Sequence, residues 1–144
     1  MKVKVNLKQI GQRKQKIAPV DFEYPSPPKT VRELINLTVE QCVNAYNERV
    51  RAGENGEKPL TEQQIADMSE VGKIAFGINY GEKEQNMDKA QENALQSFED
   101  GLYRIFIGDK EIEIEVEGLD TAITLNEGDT LTFIKLTMLA GRMW

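Results

Sequence analysis

The sequence predicts an α+β fold in which strands near both ends of the chain form one sheet and helices lie between them. Three observations predict it: residues 2–8 alternate polar and apolar side chains, the middle carries helix caps, and three strand-like segments follow within residues 102–139. Alternation with period two is typical of strands, whereas a period near 3.6 is typical of helices. The predicted order is two strands, a helical middle and three strands.

The first two strands form a predicted hairpin. Val3, Val5 and Leu7 alternate with lysine and asparagine, the pattern of a strand with one buried face. Residues 11–16 form the turn, and the returning strand stops at Pro25 because proline has no N–H to donate to a sheet. The first 20 residues also hold six Lys and Arg and no acid, which we interpret as a solvated charged face rather than a binding patch.

Three helices are predicted in the middle of the chain. Thr30 opens the first with a T-x-x-E capping box, and Gly53 follows its last apolar residue. A second capping box at Thr61 opens a shorter helix through Met68, and a third helix covers residues 87–100. These signals are local, so they predict the helices without saying how they pack.

Three strands follow, at residues 102–108, 111–118 and 130–139. In the second of them, EIEIEVE, the glutamates share one face and the isoleucines and valine share the other. Glutamates on one strand lie about 7 Å apart, too far to converge on one cation. We therefore interpret this segment as a charged edge strand that discourages association of sheet edges.

Composition and charge exclude several classes of partner. The chain is acidic, with a net charge of −6, so it repels phosphate backbones and we expect no nucleic-acid partner. Its apolar runs are far shorter than the roughly 20 residues that span a bilayer, so we expect no membrane partner. A single cysteine and a start that does not look like a signal peptide lead us to expect a cytoplasmic protein.

The residue types needed for common catalytic sites are missing from the sequence. It contains no histidine, which excludes Ser-His triads and histidine metal ligands. Cys42 lies in the apolar stripe of the first helix, where we expect core packing. Gly72-Lys73 is followed by Ile74, and position 67 is aspartate, so the phosphate-loop pattern fails twice. We predict a protein that is not an enzyme and uses neither cofactor nor metal.

Four segments carry a resemblance to a known family: the hairpin, the capped helix from Thr30, RIFIGDKEI at residues 104–112 and TLTFIKLTMLAG at residues 130–141. Together they look like a ubiquitin-like β-grasp domain, and LNEGDTLTF is similar to the last strand of the β-grasp sulfur carriers. The resemblance implies a mixed sheet packed on one main helix, in a single domain over residues 1–144. Residues 53–100 exceed the family's usual connection and form a helical insertion.

The resemblance also implies a binding surface, because partners often read ubiquitin-like proteins through the exposed face of the sheet. The matching positions here are Ile105, Thr132, Ile134 and Leu136. Alternation puts Leu131 and Phe133 on the opposite, helix-facing side. Two outcomes stay open: the face is exposed and binds another protein, or the inserted helices cover it as a second core.

The C-terminal tail offers a second function. Sulfur carriers and conjugated ubiquitin-like proteins end in a diglycine that enters an adenylating enzyme. Here Ala140 and Gly141 are followed by Arg142-Met143-Trp144, so activation at Gly141 requires removal of the last three residues. Alternatively, Trp144 packs back on the domain. Our first hypothesis is a non-catalytic module that binds another protein through its sheet face or inserted helices.

Overall fold

The computed structural model describes residues 1–9, 19–55, 67–68, 71–72, 76, 86–108 and 113–136. Five strands lie within these ranges: β1 (Lys2–Gln9), β2 (Val20–Glu23), β3 (Tyr103–Gly108), β4 (Glu113–Val116) and β5 (Thr130–Lys135). Two long helices lie there as well: α1 (Val31–Asn55) and α2 (Met87–Glu99). The predicted α+β class is confirmed.

The strands form one mixed sheet in the order β2-β1-β5-β3-β4. β1 runs parallel to β5, and the other neighbouring pairs are antiparallel. Val5 lies beside Leu131, and Phe133 lies between Leu7 and Ile105 in register. Residues paired in this way share a face of the sheet, so these apolar side chains all point to one side.

That side carries the hydrophobic core. Alternate residues of four strands and the apolar stripe of α1 form one cluster of buried side chains. Its fully buried members include Val3, Val5, Phe22, Leu34, Ile35, Val39, Cys42, Ile105, Leu131 and Phe133. Because α1 supplies the layer that covers the strands, the sheet has a helix side and an opposite side.

The start of α1 is held by its own cap and by the loop after β4. Thr30 Oγ1 accepts from the Glu33 N–H at 3.2 Å, as the capping box predicts. The Leu119 carbonyl accepts from the Arg32 N–H at 2.8 Å, which satisfies an amide that has no partner within the helix. Arg32 Nε also pairs with Asp120 Oδ1 at 3.3 Å. This loop therefore ties the C-terminal strands to the helix.

The described part of the insertion packs on the helix side of the sheet. Phe76 meets Phe133 edge-on with ring centroids 5.2 Å apart, and meets Tyr103 edge-on at 5.4 Å. Met68 and Val71 are buried in the same cluster. The sequence left open whether the inserted helices cover the predicted binding face as a second core. The described residues of the insertion do not, since they join the main core on the helix side.

Helix α2 agrees with the prediction for residues 87–100. Asn86 caps its start by accepting from the Lys89 N–H at 2.9 Å. Gly101 follows its end with a φ of 74°, a left-handed conformation that glycine adopts without steric cost. The Tyr103 hydroxyl donates to the Ala94 carbonyl at 2.7 Å, so β3 and α2 are joined inside the core.

Other sequence predictions are corrected or lie outside the described residues. The predicted end of the first helix at Gly53 is wrong, because α1 continues to Asn55. Glycine costs about 1 kcal/mol in a helix interior, which does not force the helix to stop. The parts outside the description are the turn at residues 11–16, most of the helix opening at Thr61, and the last predicted strand beyond residue 136.

A buried polar contact joins Tyr24, the residue after β2, to α1. The Thr38 hydroxyl donates to the Leu34 carbonyl at 2.7 Å, and the Tyr24 hydroxyl lies 2.7 Å from Thr38 Oγ1. Since Thr38 has one hydroxyl hydrogen and uses it on Leu34, Tyr24 is the donor to Thr38. Both side chains are fully buried, so this bond satisfies a phenol that water cannot reach.

Replacing the insertion's core aromatic tests whether the insertion stabilises the domain. Phe76→Ala should lower the free energy of unfolding by about 3–5 kcal/mol, because it leaves a cavity against Tyr103 and Phe133. Urea denaturation measures the loss. Ile114→Ala is the matched control: Ile114 is 66% exposed, so its truncation should change stability by less than about 0.5 kcal/mol. Equal effects of the two substitutions would contradict this account.

The Tyr24–Thr38 bond gives a second stability prediction. Thr38→Val should cost about 1–3 kcal/mol, because the buried Tyr24 hydroxyl loses its acceptor. Adding Tyr24→Phe should recover part of the loss, since no buried donor then remains. A double-mutant cycle from denaturation curves measures this coupling. Additive effects of the two substitutions would show that the hydroxyls do not depend on each other.

Candidate functional site

The candidate site is the side of the sheet opposite the core, which we call the outer face. Its residues alternate with core residues along each strand and pair with one another in register. They are Lys4, Asn6 and Lys8 on β1, Thr130, Thr132 and Ile134 on β5, Arg104 and Phe106 on β3, and Glu115 on β4. The face is therefore mixed, with apolar, cationic and acidic members.

Two apolar side chains occupy the centre of the outer face. Phe106 lies beside Thr132, and Ile134 is two residues further along β5, so Phe106 and Ile134 are diagonal neighbours. Diagonal neighbours lie within reach of an aromatic side chain. Both are partly exposed, although they lie on inner strands of the sheet. This pair, which we call the apolar centre, is a place where another molecule can bury apolar surface.

The prediction that Ile105 belongs to this face is wrong. Ile105 is completely buried and lies opposite Phe133 in the antiparallel register of β3 and β5. Since Phe133 faces the core, Ile105 must face it too, and Arg104 and Phe106 take the outer positions. Phe106 is thus the residue that sequence reasoning missed. The available signal was that Phe106 lies two residues after the charged Arg104, so both side chains point to the same face of the strand.

Thr132, Ile134 and Leu136 alternate with core residues as expected, but their exposure differs from that of an open patch. Thr132 is only 1% exposed and lies on the central strand between Asn6 and Phe106. Leu136 is 8% exposed, and its N–H donates to the Leu102 carbonyl at 3.1 Å. Of the predicted binding residues, Ile134 therefore keeps the most accessible side chain.

Cations flank the apolar centre, and acids lie on the outer strands. Ile134 is placed between Lys8 on β1 and Arg104 on β3. Arg104 Nη1 lies 3.7 Å from Glu115 Oε1, with the arginine side chain 56% exposed. Exposed ion pairs of this kind contribute about 0–1 kcal/mol. Arg104 is therefore held only weakly by Glu115 and can also interact with a carboxylate on another molecule.

A second cross-strand ion pair has the same arrangement at the other edge. Lys4 Nζ lies 3.2 Å from Asp21 Oδ1, and both side chains are more than half exposed. Lys4 is on an inner strand and Asp21 on the edge strand β2. The outer face thus has a cationic inner region within a chain whose net charge is −6.

Cys42 is placed as the core-packing prediction expects. It is fully buried, and this burial raises the pKa of its thiol, an effect that a hydrogen bond with the Gly72 backbone partly offsets. A nucleophilic cysteine needs the opposite, a lowered pKa and access to substrate. The arrangement is that of an inert core thiol in contact with the insertion.

Metal binding and membrane insertion can be assessed only for the described residues. Among them, acidic and cysteine side chains do not gather in groups of three or more that could hold a metal ion. Neither α1 nor α2 combines the length and apolar character that crossing a bilayer requires. Ala140 and Gly141, the residues of the alternative tail hypothesis, lie outside the described part of the chain.

An open groove of about 390 Å³ lies at the β4 edge of the sheet. It forms where the end of α2, the start of β3 and the loop after β4 meet, and its apolar lining includes Phe98, Tyr103, Val116 and Leu119. Charged side chains surround these walls. No sequence pattern predicts this groove, because it depends on how α2 packs beside the sheet.

Comparison with known proteins adds no relative. No protein-family model matches the chain, and no curated protein and no solved structure matches it either. The chemistry of the outer face and of the groove therefore has to be argued from the residues themselves.

Buried ionisable groups predict that the fold is sensitive to alkaline pH. Burial raises the pKa of Cys42, Tyr24 and Tyr103 above their ordinary values. In the unfolded chain a cysteine thiol ionises at about pH 8.5 and a tyrosine hydroxyl at about pH 10. The stability that each of these groups contributes is fully present below its pKa in the unfolded chain. It is lost as pH rises toward its pKa in the folded protein, by up to about 1.4 kcal/mol per pH unit for each group.

Thermal denaturation between about pH 7 and pH 11 measures this effect, and Cys42→Ala separates its parts. The variant should lose the decline that begins near about pH 8.5 and keep the decline above about pH 10, which belongs to the tyrosines. The comparison uses the slope of Tm against pH, so a lower starting stability of the variant does not matter. Identical slopes in both proteins would contradict the assignment to Cys42.

Proposed function

We propose that this protein is a non-catalytic, ubiquitin-like module with a β-grasp fold, and that it binds a partner protein through the outer face. The observation that carries the proposal is the partly exposed apolar centre, Phe106 and Ile134, with Lys8 and Arg104 beside it. Apolar side chains that lie together on a surface and are rimmed by polar or charged residues are typical of protein-binding sites. A binding face uses them as anchors.

The β-grasp part of the proposal is supported by the architecture. A mixed five-stranded sheet covered on one side by the capped helix α1 is what the sequence resemblance implies. The long insertion between α1 and β3 is compatible with it, because its described residues join the core without displacing a strand. Fold alone does not imply function, so the binding proposal depends on the outer face itself.

The outer face is a better candidate than the inserted helices for contact with a partner. Met68, Val71 and Phe76 are buried in the core, so these apolar side chains are already used. The same is true of Ala90 and Ala94 on α2. By contrast, α1 and the described insertion leave the outer face on the far side of the sheet.

The geometry favours a partner that presents an apolar side chain flanked by carboxylates. The apolar side chain would pack between Phe106 and Ile134, where water is excluded and contacts are strongest. Carboxylates would meet Lys8 and Arg104 at the rim, where charges mainly raise the association rate and select the correct partner. Such binding weakens as salt concentration rises.

The alternative role, a sulfur carrier or modifier activated at Gly141, makes a different demand. It needs a free tail after removal of Arg142-Met143-Trp144 and does not need an apolar centre on the sheet. The partly exposed apolar centre is the observation that favours the binding role, whereas residues 137–144 lie outside the described part of the chain. Mass spectrometry of the C-terminal peptide, prepared from protein isolated from the cells that produce it naturally, would detect a form that ends at Gly141.

Truncating the apolar centre tests the binding proposal. Phe106→Ala and Ile134→Thr should each weaken partner affinity by about tenfold or more, or about 1.4 kcal/mol, because central anchors dominate binding energy. Threonine retains β-branching, so the strand should be preserved at position 134. Comparative capture with wild-type and Ile134→Thr proteins identifies the partner, and calorimetric titration then gives the two affinities.

Two controls define what the binding result means. Glu40→Ala changes an exposed residue on α1 and should leave the affinity unchanged. Lys8→Glu should slow association and reduce its dependence on salt, since it reverses a rim charge. A partner that binds wild type, Phe106→Ala and Ile134→Thr with equal affinity would show that the outer face is not the binding surface.

A further inference from the structure

The edge strand β4 and the groove beside it form a surface that shares only Arg104 and Glu115 with the outer face. We propose that this edge accepts an extended segment of a partner protein, added as a further strand, in which apolar residues alternate with Lys or Arg. The inference goes beyond the proposed function, because it concerns the edge of the sheet and a partner of opposite charge. It stands on backbone geometry, apolar exposure and charge together.

The backbone of β4 offers hydrogen-bonding groups to an added strand. In the sheet that the structure describes, β4 is last in the strand order and β3 is its neighbour. Alternate residues of a strand direct their N–H and C=O groups to opposite sides, so part of the β4 backbone points away from β3. Extended peptides bind to such edges by completing the ladder.

The apolar residues of β4 are exposed where an added strand would contact them. Ile114 pairs with Ile107 and Val116 with Ile105, so all four lie on the core side of the sheet. Ile107 and Ile105 are buried by the strands around them, but Ile114 is 66% exposed because no described strand lies beyond it. A strand added beside β4 would place its own apolar side chain next to Ile114 and shield it from water.

The groove continues this apolar side past the end of β4. Val116 belongs to both the strand and the groove, whose other walls include Phe98 and Leu119. A volume of about 390 Å³ falls within the usual range for binding sites. A peptide running along β4 can therefore place a further side chain in the groove as it leaves the strand. Edge and groove act as one continuous site.

The charges around this site favour a basic partner segment. Glu99, Glu115 and Glu117 line the groove with Arg104, so carboxylates outnumber the guanidinium by three to one. On β4 itself, Glu115 occupies the side opposite Ile114, so an added strand brings its alternate side chains toward a carboxylate. Lys or Arg at those positions would be favoured. A second copy of this chain would bring its own β4 glutamates to the same place, which like-charge repulsion disfavours.

Synthetic peptides test the inference directly. The probe is a capped hexapeptide of alternating valine and lysine, titrated into the full ¹⁵N-labelled chain by NMR and measured by fluorescence anisotropy. We expect saturable binding, with the largest shifts at residues 113–116 and at the groove. A valine–glutamate peptide and a valine–lysine peptide with methylated backbone nitrogens should each bind at least tenfold more weakly. Equal binding of either control, or no binding of the probe, would overturn the proposal.

Variants of the protein locate the peptide on the edge. Glu115→Gln and Ile114→Ala should each lower the affinity for the valine–lysine peptide several-fold. Glu115→Gln should also make this affinity less dependent on salt concentration. Glu92→Gln is the matched control, because it removes an exposed carboxylate from α2, away from the edge. An equal loss with Glu92→Gln would show nonspecific attraction to an acidic protein. Unchanged Tm values confirm that each variant is folded.

Two further readouts separate this site from its alternatives. Ile134→Thr, which disables the proposed outer face, should leave peptide affinity unchanged, so the two proposals can fail independently. Sedimentation of the free protein should show a monomer across the concentrations used. A dimer that Glu115→Lys or Ile114→Ala dissociates would identify a second copy as the occupant of the edge and would overturn the proposal of a basic partner segment.

Discussion

The parallel pairing of β1 with β5 is the contact on which the rest of this structure depends. It brings a strand from the start of the chain beside one from its end, so both edges of the sheet are built outward from this pair. The pairs Val5–Leu131 and Leu7–Phe133 set which face is apolar, and every neighbouring strand must match that choice. Parallel strands need a crossover between them, and here the crossover includes α1, which covers the apolar face.

In the part of the chain that the structure describes, the core side of the sheet is closely packed, whereas the outer face keeps apolar side chains that are partly exposed. Phe76 comes from the insertion to meet Tyr103 and Phe133, while Tyr103 is also bonded to α2 through the Ala94 carbonyl. The insertion therefore strengthens the core that α1 begins. Because these elements lie on the same side, the part of the chain that the structure describes places no helix over Phe106 and Ile134, which are partly exposed.

The sequence predicted what depends on local signals and missed what depends on strand register. The Thr30 cap, the helix from residue 87 and the alternation within each strand are short-range patterns, and they agree with the structure. The side of the sheet on which Ile105 lies is set by its pairing with Phe133 on β5. Alternation along β3 alone does not say which of its two faces is the buried one. The burial of Phe76 also depends on tertiary contacts, since its ring packs against Tyr103 and Phe133, which are far from it in sequence. For the same reason Phe106 was missed, although it is central to the candidate site.

Arg104 links the two proposed surfaces. It lies beside Ile134 on the outer face, lines the groove at the β4 edge and pairs with Glu115 at 3.7 Å. A basic segment added along β4 would compete with Arg104 for the Glu115 carboxylate. Arg104, once less engaged by Glu115, would interact more strongly with a carboxylate brought to the outer face. Since both contacts are exposed and individually weak, each partner would change the other's affinity modestly and in the favourable direction, as reciprocal coupling between sites requires.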